Sequence, residues 1–252
     1  NYIKKLFIYL IRKIQVIFLK KYYLSFLQKI DILSNVALND THDFQNEGIK
    51  HINYLPNMWV VPNKEHVLSK KKNIELAKNK IVVNIGNVEA TANTLGLYLF
   101  AKEFFPKLKE KSNDQFEFHI IGKGKIQKKI QRLIRDHKEI IVRGFVDDID
   151  REIMEAKLVL TLNNASFFKV CHTRYLHVFS LGTINIVHSD ALLSMPELKN
   201  DENVLAGDTI NQMVDQTLRA IKDVKLREKI SFGGFEVLSK YYDSKKTTNR
   251  VV

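Results

Sequence analysis

The stretch IVVNIGNVEATANTLGLYLFAKEFFPKLKEKSNDQFEFHIIGKG (81–124) decides the fold. It opens on a run of Ile and Val, stops at Gly86, passes through a segment of helical length, and returns to a second apolar run that stops at Gly122 and Gly124. The same alternation continues outward through IIVRGFVDD (140–148), KLVLTLNN (157–164) and TINIVHSD (183–190). β-Branched strands that alternate with amphipathic helical stretches predict an α/β fold, a doubly wound, Rossmann-like parallel sheet flanked by helices. In such a sheet ligands bind outside the carboxyl ends of the strands. Gly86, Gly122, Gly124, Gly144, Asn163 and Asn164 fall at those ends, and the basic residues nearby point to an anionic ligand.

The intervening segments read as helices over 93–112, with Pro106 marking a kink or a new start, and over 125–138, 148–156, 172–181 and 208–240. Upstream, DILSNVALND (31–40) reads as a strand and a turn, THDFQNEGI (41–49) as a short helix capped by Thr41 or Asp40, and HINYLPN (51–57) as a strand stopped by Pro56. Residues 62–80, with Pro62 and Lys70, Lys71 and Lys72, read as polar linker. His119 alternates with apolar neighbours and reads as a packed strand residue.

Charge is unevenly distributed. Of the net +12, residues 1–30 supply +7, through Lys4, Lys5, Arg12, Lys13, Lys20, Lys21 and Lys29, with no acidic residue among them. Residues 2–30 contain no Gly or Pro and should form a helix in which the basic pairs at 4/5, 12/13 and 20/21 leave a broad apolar face. Two readings stand: a helix packed on another domain, and a helix lying on an anionic membrane surface. They can hold for different faces. No stretch approaches the roughly 20 apolar residues of a membrane span. A nucleic-acid-binding protein would place its charge on the folded domain, so nucleic acid is not expected as a partner. Cys171 is the only cysteine, which removes an intramolecular disulfide and a thiolate zinc site and fits a reducing compartment. No His/carboxylate cluster has metal spacing, and neither a P-loop nor a serine nucleophile elbow is present.

The order of these segments resembles the C-terminal, donor-binding half of GT-B glycosyltransferases, especially glycosyltransferase family 4. NIGNVEATANTLGLYLFAKEFFPKL (84–108) is similar to the first strand, Gly turn and helix of that domain; Asn93 and Pro106 match a subgroup of it. FHIIGKG resembles the family's Ile-Val-Gly-x-Gly strand and turn. VRGFVDDIDREIMEAKLVLTLN resembles its Gly-x-Val, short helix and Ala-x-Val-x-Val passage. HTRYLHVFSLGTINIV resembles its Lys-Thr-Arg-x-Leu-Glu-Ala helix and following strand, and Glu202-Asn203-Val204-Leu205 its Glu-Asn-x-Leu. Asp31-Ile-Leu-Ser and Tyr54-Leu-Pro-Asn57 resemble the interdomain stretch.

The resemblance implies a domain plan: an amphipathic helix with the remnant of an acceptor domain and hinge (1–62), a linker (63–80), a nucleotide-sugar-binding domain (81–243) and a tail (244–252). It implies a hexosyltransferase, retaining and metal-independent, peripheral to the membrane on the cytoplasmic side. The donor would be a nucleoside diphosphate sugar with no further cofactor, and the acceptor a glycan or a lipid-linked chain. Arg174 and Lys169 are implied as the catalytic cations that stabilise the leaving diphosphate, since a guanidinium can grip phosphate oxygens in a bidentate manner. Gly86, Asn87, Gly122 and Gly124 are implied to allow close approach to the donor. Arg143, Phe145 and Val146 would hold the base, and His177, Glu202 and Asn203 the ribose or sugar. The family's paired Glu residues fall at Lys169 and His177 here, and the basic residues after its first Gly turn fall at Asn87 and about Leu95. A donor half without its acceptor half is expected to bind nucleotide weakly and transfer nothing. The alternative is a non-catalytic, degenerate transferase-like module at a membrane surface.

Overall fold

The computed structural model describes residues 2–72, 79–163 and 173–248. It comprises two compact units, Asn1–Leu55 and Pro56–Val252. In the first, helix α1 (Tyr2–Leu27) is followed by strand β1 (Leu33–Asn35), helix α2 (Leu38–Asn46) and strand β2 (Ile52–Tyr54), with β1 and β2 paired in parallel. Leu27, Ile49 and Ile52 form its small core. The expected cap of α2 is different. The Asn35 side-chain oxygen accepts from the Ala37 amide at 3.0 Å, which turns the chain straight after β1, so the helix begins at Leu38 behind Ala37. Thr41 is buried inside that helix, donating to the Ala37 carbonyl at 3.0 Å.

The expected broad apolar face of α1 is also corrected. Leu6, Phe7, Ile8, Tyr9, Leu10 and Ile11 are all exposed, as are Ile17, Phe18 and Leu19. Six consecutive residues sweep more than a full turn of a helix, so the apolar surface runs round the whole circumference. No helix among the described residues is long and apolar enough to cross a membrane.

In the second unit, β3 (Lys80–Ile85), β4 (Glu117–Ile121), β5 (Ile140–Gly144), β6 (Leu158–Thr161), β7 (Asn185–His188) and β8 (Leu205–Gly207) form one parallel sheet in the order β5-β4-β3-β6-β7-β8. Counted within this sheet the order is 3-2-1-4-5-6, the doubly wound arrangement, and its direction reverses between β3 and β6. The inner strands β3, β6 and β7 are buried on both faces because helices cover both, whereas the edge strand β5 leaves Val142 and Arg143 exposed. Side chains 81, 118, 120, 140, 158 and 160 pack with Leu97, Phe104, Leu108, Ile130, Met213 and Val214 in one layer. Val82, Ile121 and Val159 pack with Ile153, Met154, Val178 and Phe235 in the other.

The helices follow sequence signals with instructive differences. The segment expected over 93–112 is α4 (Thr91–Leu99), a π-helical turn (Phe100–Phe104) and α5 (Phe105–Lys111). Pro106 has no amide hydrogen and its ring would clash with the carbonyl four residues earlier, that of Lys102, so the helix widens before it. Phe100, Phe104, Phe105, Phe116 and Phe118 then close into one aromatic cluster, with Phe100 and Phe118 centroids 5.2 Å apart. α6 (Lys128–Ile134) and α7 (Ile149–Glu155) follow, the latter capped by Asp148, which accepts from the Arg151 amide at 2.9 Å. α8 (Thr173–Ser180) and the short α9 (Asp190–Ser194) flank β7. The single helix expected over 208–240 is broken into α10 (Ile210–Lys222) and α11 (Val224–Val237), because Asp223 caps the second by accepting from the Leu226 amide at 2.9 Å. A π-helical turn (Leu238–Tyr242) and α12 (Ser244–Thr248) end the described chain.

Part of the expected linker is helical: α3 (Lys64–Lys72) buries Val67 in the core of the second unit. Ahead of it, Trp59 donates its amide to Tyr242 O at 2.7 Å and accepts from the Ser244 amide at 3.0 Å, tying this segment to the chain's end. β8 also lay outside the sequence expectation.

Beneath α7 lies an ion cluster. Lys80 Nζ meets Glu152 at 2.8 Å and Glu155 at 3.1 Å, and Glu152 also receives Arg143 Nη2 at 2.8 Å and lies 3.3 Å from His119 Nδ1. Burial pushes the Glu152 carboxyl up, but Lys80, Arg143 and His119 outweigh it and hold it below the usual carboxylate range.

Candidate functional site

The site grows from two glycine turns at the carboxyl edge. Gly86 follows β3 with φ 111° and Gly122 follows β4 with φ 144°. A methyl group on Gly122 would lie 1.6 Å from the Gly86 carbonyl oxygen, so the two turns touch backbone to backbone. Asn84, buried in β3, locks them together: its side-chain amide donates to Gly86 O at 3.1 Å and to Ile121 O at 2.8 Å. The Gly122 amide donates to Gly144 O at 2.8 Å, adding the end of β5 to the same rim. Gly124 has φ 105°, a conformation that favours glycine, and a Cβ there would press on the side chains of Asn87 and Glu89.

At the reversal point, Asn93 in the first turn of α4 is the hub. Its side-chain amide donates to Asn87 O at 2.6 Å. Its oxygen accepts from Asn163 Nδ2 at 2.5 Å, beyond the end of β6, and from Arg174 Nη2 at 2.8 Å, in the first turn of α8. Asn93 and Asn163 are buried. Gly96 makes the approach possible, because a Cβ there would stand 2.8 Å from Asn163 Oδ1. Arg174 is half-buried, and among the described residues no carboxylate pairs with it. Burial lowers the pKa of its guanidinium, and Tyr175 opposes that shift only in part. A guanidinium held through Asn93 close to two glycine turns, at the reversal point of a parallel sheet, is suited to a phosphate-bearing ligand.

The structure thus brings together Gly86, Asn87, Gly122, Gly124 and Arg174. Lys169 lies outside the described residues. His177, one turn along α8 from Arg174, bonds Asp150 Oδ1 through Nε2 at 2.7 Å and lies with its ring 5.7 Å from that of Trp59. Phe145 stands 75 % exposed just beyond β5, whereas Val146 packs inward against the layer containing Ile153. The Arg143 guanidinium donates to Glu152 Oε1 at 2.8 Å while its side chain stays partly exposed. Glu202 and Asn203 are corrected. They precede β8, which runs parallel to β7 with Leu205 beside Ile186, so they sit at the amino end of the sheet, away from the glycine turns. Asn203 is buried there in a loop lock, accepting from the Lys199 amide at 2.8 Å and donating to Glu197 O at 3.1 Å. Sequence reasoning placed Asn163 at a strand end and Asn93 only as a match to a family subgroup, gave neither a role in the site, and missed Asn84 altogether. The signal available was amide side chains where strands end and a helix begins, in positions that would otherwise hold apolar residues.

Comparison with known proteins places this geometry. No curated protein matches the sequence significantly. Among solved structures, TarM of S. aureus is similar at TM-score 0.72 and 17% identity, over 92% of this chain and 45% of TarM; a TarM mutant solved in complex with fondaparinux, alpha-GlcNAc-glycerol and UDP gives the same TM-score at 14% identity. HepE of Anabaena in complex with UDP is similar at TM-score 0.67 and 11% identity, over 88% of this chain and 62% of HepE. Sucrose-phosphate synthase of Thermosynechococcus elongatus is similar at TM-score 0.66 and 12% identity, over 91% of this chain and 58% of that enzyme. The chain therefore spans about half the length of TarM and under two thirds of the other two. Its second unit has the Rossmann-like fold of the C-terminal half of GT-B enzymes. Residues 79–223 match the model of the family described as glycosyl transferases group 1, and the chain belongs to that family.

Proposed function

We propose that this chain carries the donor-binding part of a glycosyltransferase that moves a hexose from a nucleoside diphosphate sugar to a glycan or lipid-linked acceptor. The observation that carries this reading is Arg174, desolvated, without a carboxylate partner among the described residues, and held by Asn93 at the sheet's reversal point. In the proposed reaction its guanidinium neutralises the charge that develops on the diphosphate as the sugar leaves. Gly86 and Gly122 let the backbone close on the donor. The amides in the first turns of α4 and α8 add fixed dipoles toward the anion. Phe145 offers an exposed ring for the base. His177, set by Asp150, serves as a hydroxyl partner in place of a carboxylate. Lys169 is proposed as a second cation. UDP in the TarM and HepE structures supports a nucleotide donor. Retention of configuration, metal independence, absence of a further cofactor and a cytoplasmic, membrane-peripheral location are parts of the same proposal. The basic α1, with its exposed apolar surface, supports an anionic membrane surface as partner.

The test is calorimetric titration of the chain with UDP, GDP and ADP, beside Arg174→Ala. Hydrogen bonds to a charged group contribute about 1.5–3 kcal/mol, so one nucleotide should bind and the variant should bind it roughly ten- to hundredfold more weakly. Equal binding by both proteins would overturn the assignment of Arg174. No binding to any nucleotide would favour the degenerate module, the reading motivated by His177 and Lys169 at the places of the family's paired Glu residues.

A further inference from the structure

A second concentration of positive charge lies at the other end of the sheet. A cavity of about 460 Å³ opens at the amino ends of β6 and β7, between α3 and α11. This is within the range of small-molecule sites. Leu68, Ile184, Phe232 and Phe235 give it apolar walls, and Lys71, Lys157 and Arg227 line it together. Among the described residues, the hydrogen-bond partners of these three cations are all neutral. Lys71 Nζ donates to Gly182 O at 2.6 Å and Thr183 Oγ1 at 2.8 Å, Lys157 Nζ to Asn79 Oδ1 at 2.8 Å, and Arg227 Nη1 to Ala220 O at 2.5 Å and Ile221 O at 2.9 Å. Lys64 also lines the cavity but is paired with Glu236 at 3.1 Å. Three acids act on the cluster from its surroundings: Glu228, exposed at the rim, and Asp223 on Arg227, and Asp114 on Lys157.

Burying a cation without a paired anion is costly, and all three are half-buried, each spending its hydrogen bonds on neutral groups while facing the same cavity. Burial and then the Arg227 charge push Lys71 down to about 7, and the same two causes, in the same order, lower Lys157. The three acids act from a distance, and among the described residues none is ion-paired with Lys71, Lys157 or Arg227, which leaves a place for an anion inside the cavity. A phosphomonoester carries about −1.5 to −2 near neutral pH, a better match to three cations than a carboxylate's single charge.

We propose that this cavity is an anion site that takes a phosphomonoester head bearing an apolar body, with the head among Lys71, Lys157 and Arg227 and the body against Phe232, Phe235 and Leu68. It is separate from the Arg174 site and does not depend on the function proposed above. The experiment titrates the whole chain with hexyl phosphate, inorganic phosphate and hexanol at pH 7.5, in two buffers of different ionisation enthalpy. Hexyl phosphate should bind with net proton uptake, because the anion restores the charge of Lys71. Inorganic phosphate should bind at least about tenfold more weakly and hexanol not at all, since head and body both contribute. Lys71→Met and Lys157→Met should each weaken hexyl phosphate about tenfold or more, with far-UV circular dichroism unchanged, while Arg174→Ala leaves it alone. A folded chain that does not bind hexyl phosphate overturns the proposal. So does binding lost in Arg174→Ala and kept in Lys71→Met. Sedimentation with phosphatidylcholine vesicles, with and without phosphatidic acid, separates the sources. A Lys71-dependent increase with phosphatidic acid identifies a lipid head; binding of soluble hexyl phosphate without that increase identifies a soluble phosphoester.

Discussion

Replacing Gly122 by Ala tests the contact between the two glycine turns on which the rest of the site is built. The added Cβ would meet the Gly86 carbonyl oxygen at 1.6 Å, so that oxygen must retreat by about 1.8 Å to reach an ordinary 3.4 Å contact. Three hydrogen bonds lie in the way of that movement: Asn84 Nδ2 to Gly86 O at 3.1 Å, the Gly86 amide to Ile121 O at 3.2 Å, and the Gly122 amide to Gly144 O at 2.8 Å. Leaving a buried polar group unsatisfied costs about 1–3 kcal/mol, and an alanine at positive φ adds about 1–2 kcal/mol. Loss of one or two of these bonds with the backbone strain gives roughly 2–8 kcal/mol. Gly144 is the internal control: its φ is 66°, yet a methyl group added there would meet nothing within 4 Å, so Gly144→Ala should cost only about 1–2 kcal/mol. Urea unfolding of the two variants at equal protein concentration measures the difference. A Gly122→Ala protein as stable as Gly144→Ala, to within about 1 kcal/mol, would refute the turn-to-turn contact and the site geometry derived from it.

Asn93→Ala should weaken nucleotide binding about tenfold or more by freeing Arg174, and should also cost about 1–3 kcal/mol of stability because buried Asn163 Nδ2 loses its acceptor, as read by titration and melting on the same samples. Lys80→Met removes one partner of a buried carboxylate that keeps Arg143 and His119, so chemical unfolding should show a loss of about 2–4 kcal/mol; a neutral result would remove the ion cluster as a support of the sheet. For Lys71 the sign follows from a folded pKa of about 7, below the ordinary 10.5. Between these values the unfolded chain binds more protons, so stability rises with pH by up to about 1.4 kcal/mol per unit. The melting difference between wild type and Lys71→Met should therefore favour the variant at pH 6 and shift toward wild type by pH 9. A difference independent of pH would contradict the buried, depressed lysine.

How much was legible depends on the range of the interaction. Runs such as IVVNI and KLVLTL announce strands, because a sheet buried on both faces needs continuous β-branched and apolar residues. Glycines at their ends announce turns. Leu205–Gly207 is only three residues long and carries no such run, so β8 was hidden, and with it the direction that moves Glu202 and Asn203 to the far end of the sheet. The helix Lys64–Lys72 was masked by its charge; a single buried Val67 on a lysine-rich segment leaves little periodicity to read.

By itself, then, the sequence determined the alternation of strands and helices, the parallel sheet, and the edge at which Gly86, Gly122 and Arg174 gather, because these follow from local periodicity and the rule that parallel strands need crossovers. Tertiary structure alone decided which polar groups meet. Asn93 finds Asn163 across 70 residues and Arg174 across 81, Arg143 meets Glu152, and Lys71, Lys157 and Arg227 face one cavity. Such pairings depend on the strand order and on close approaches such as that at Gly96, which no local pattern encodes.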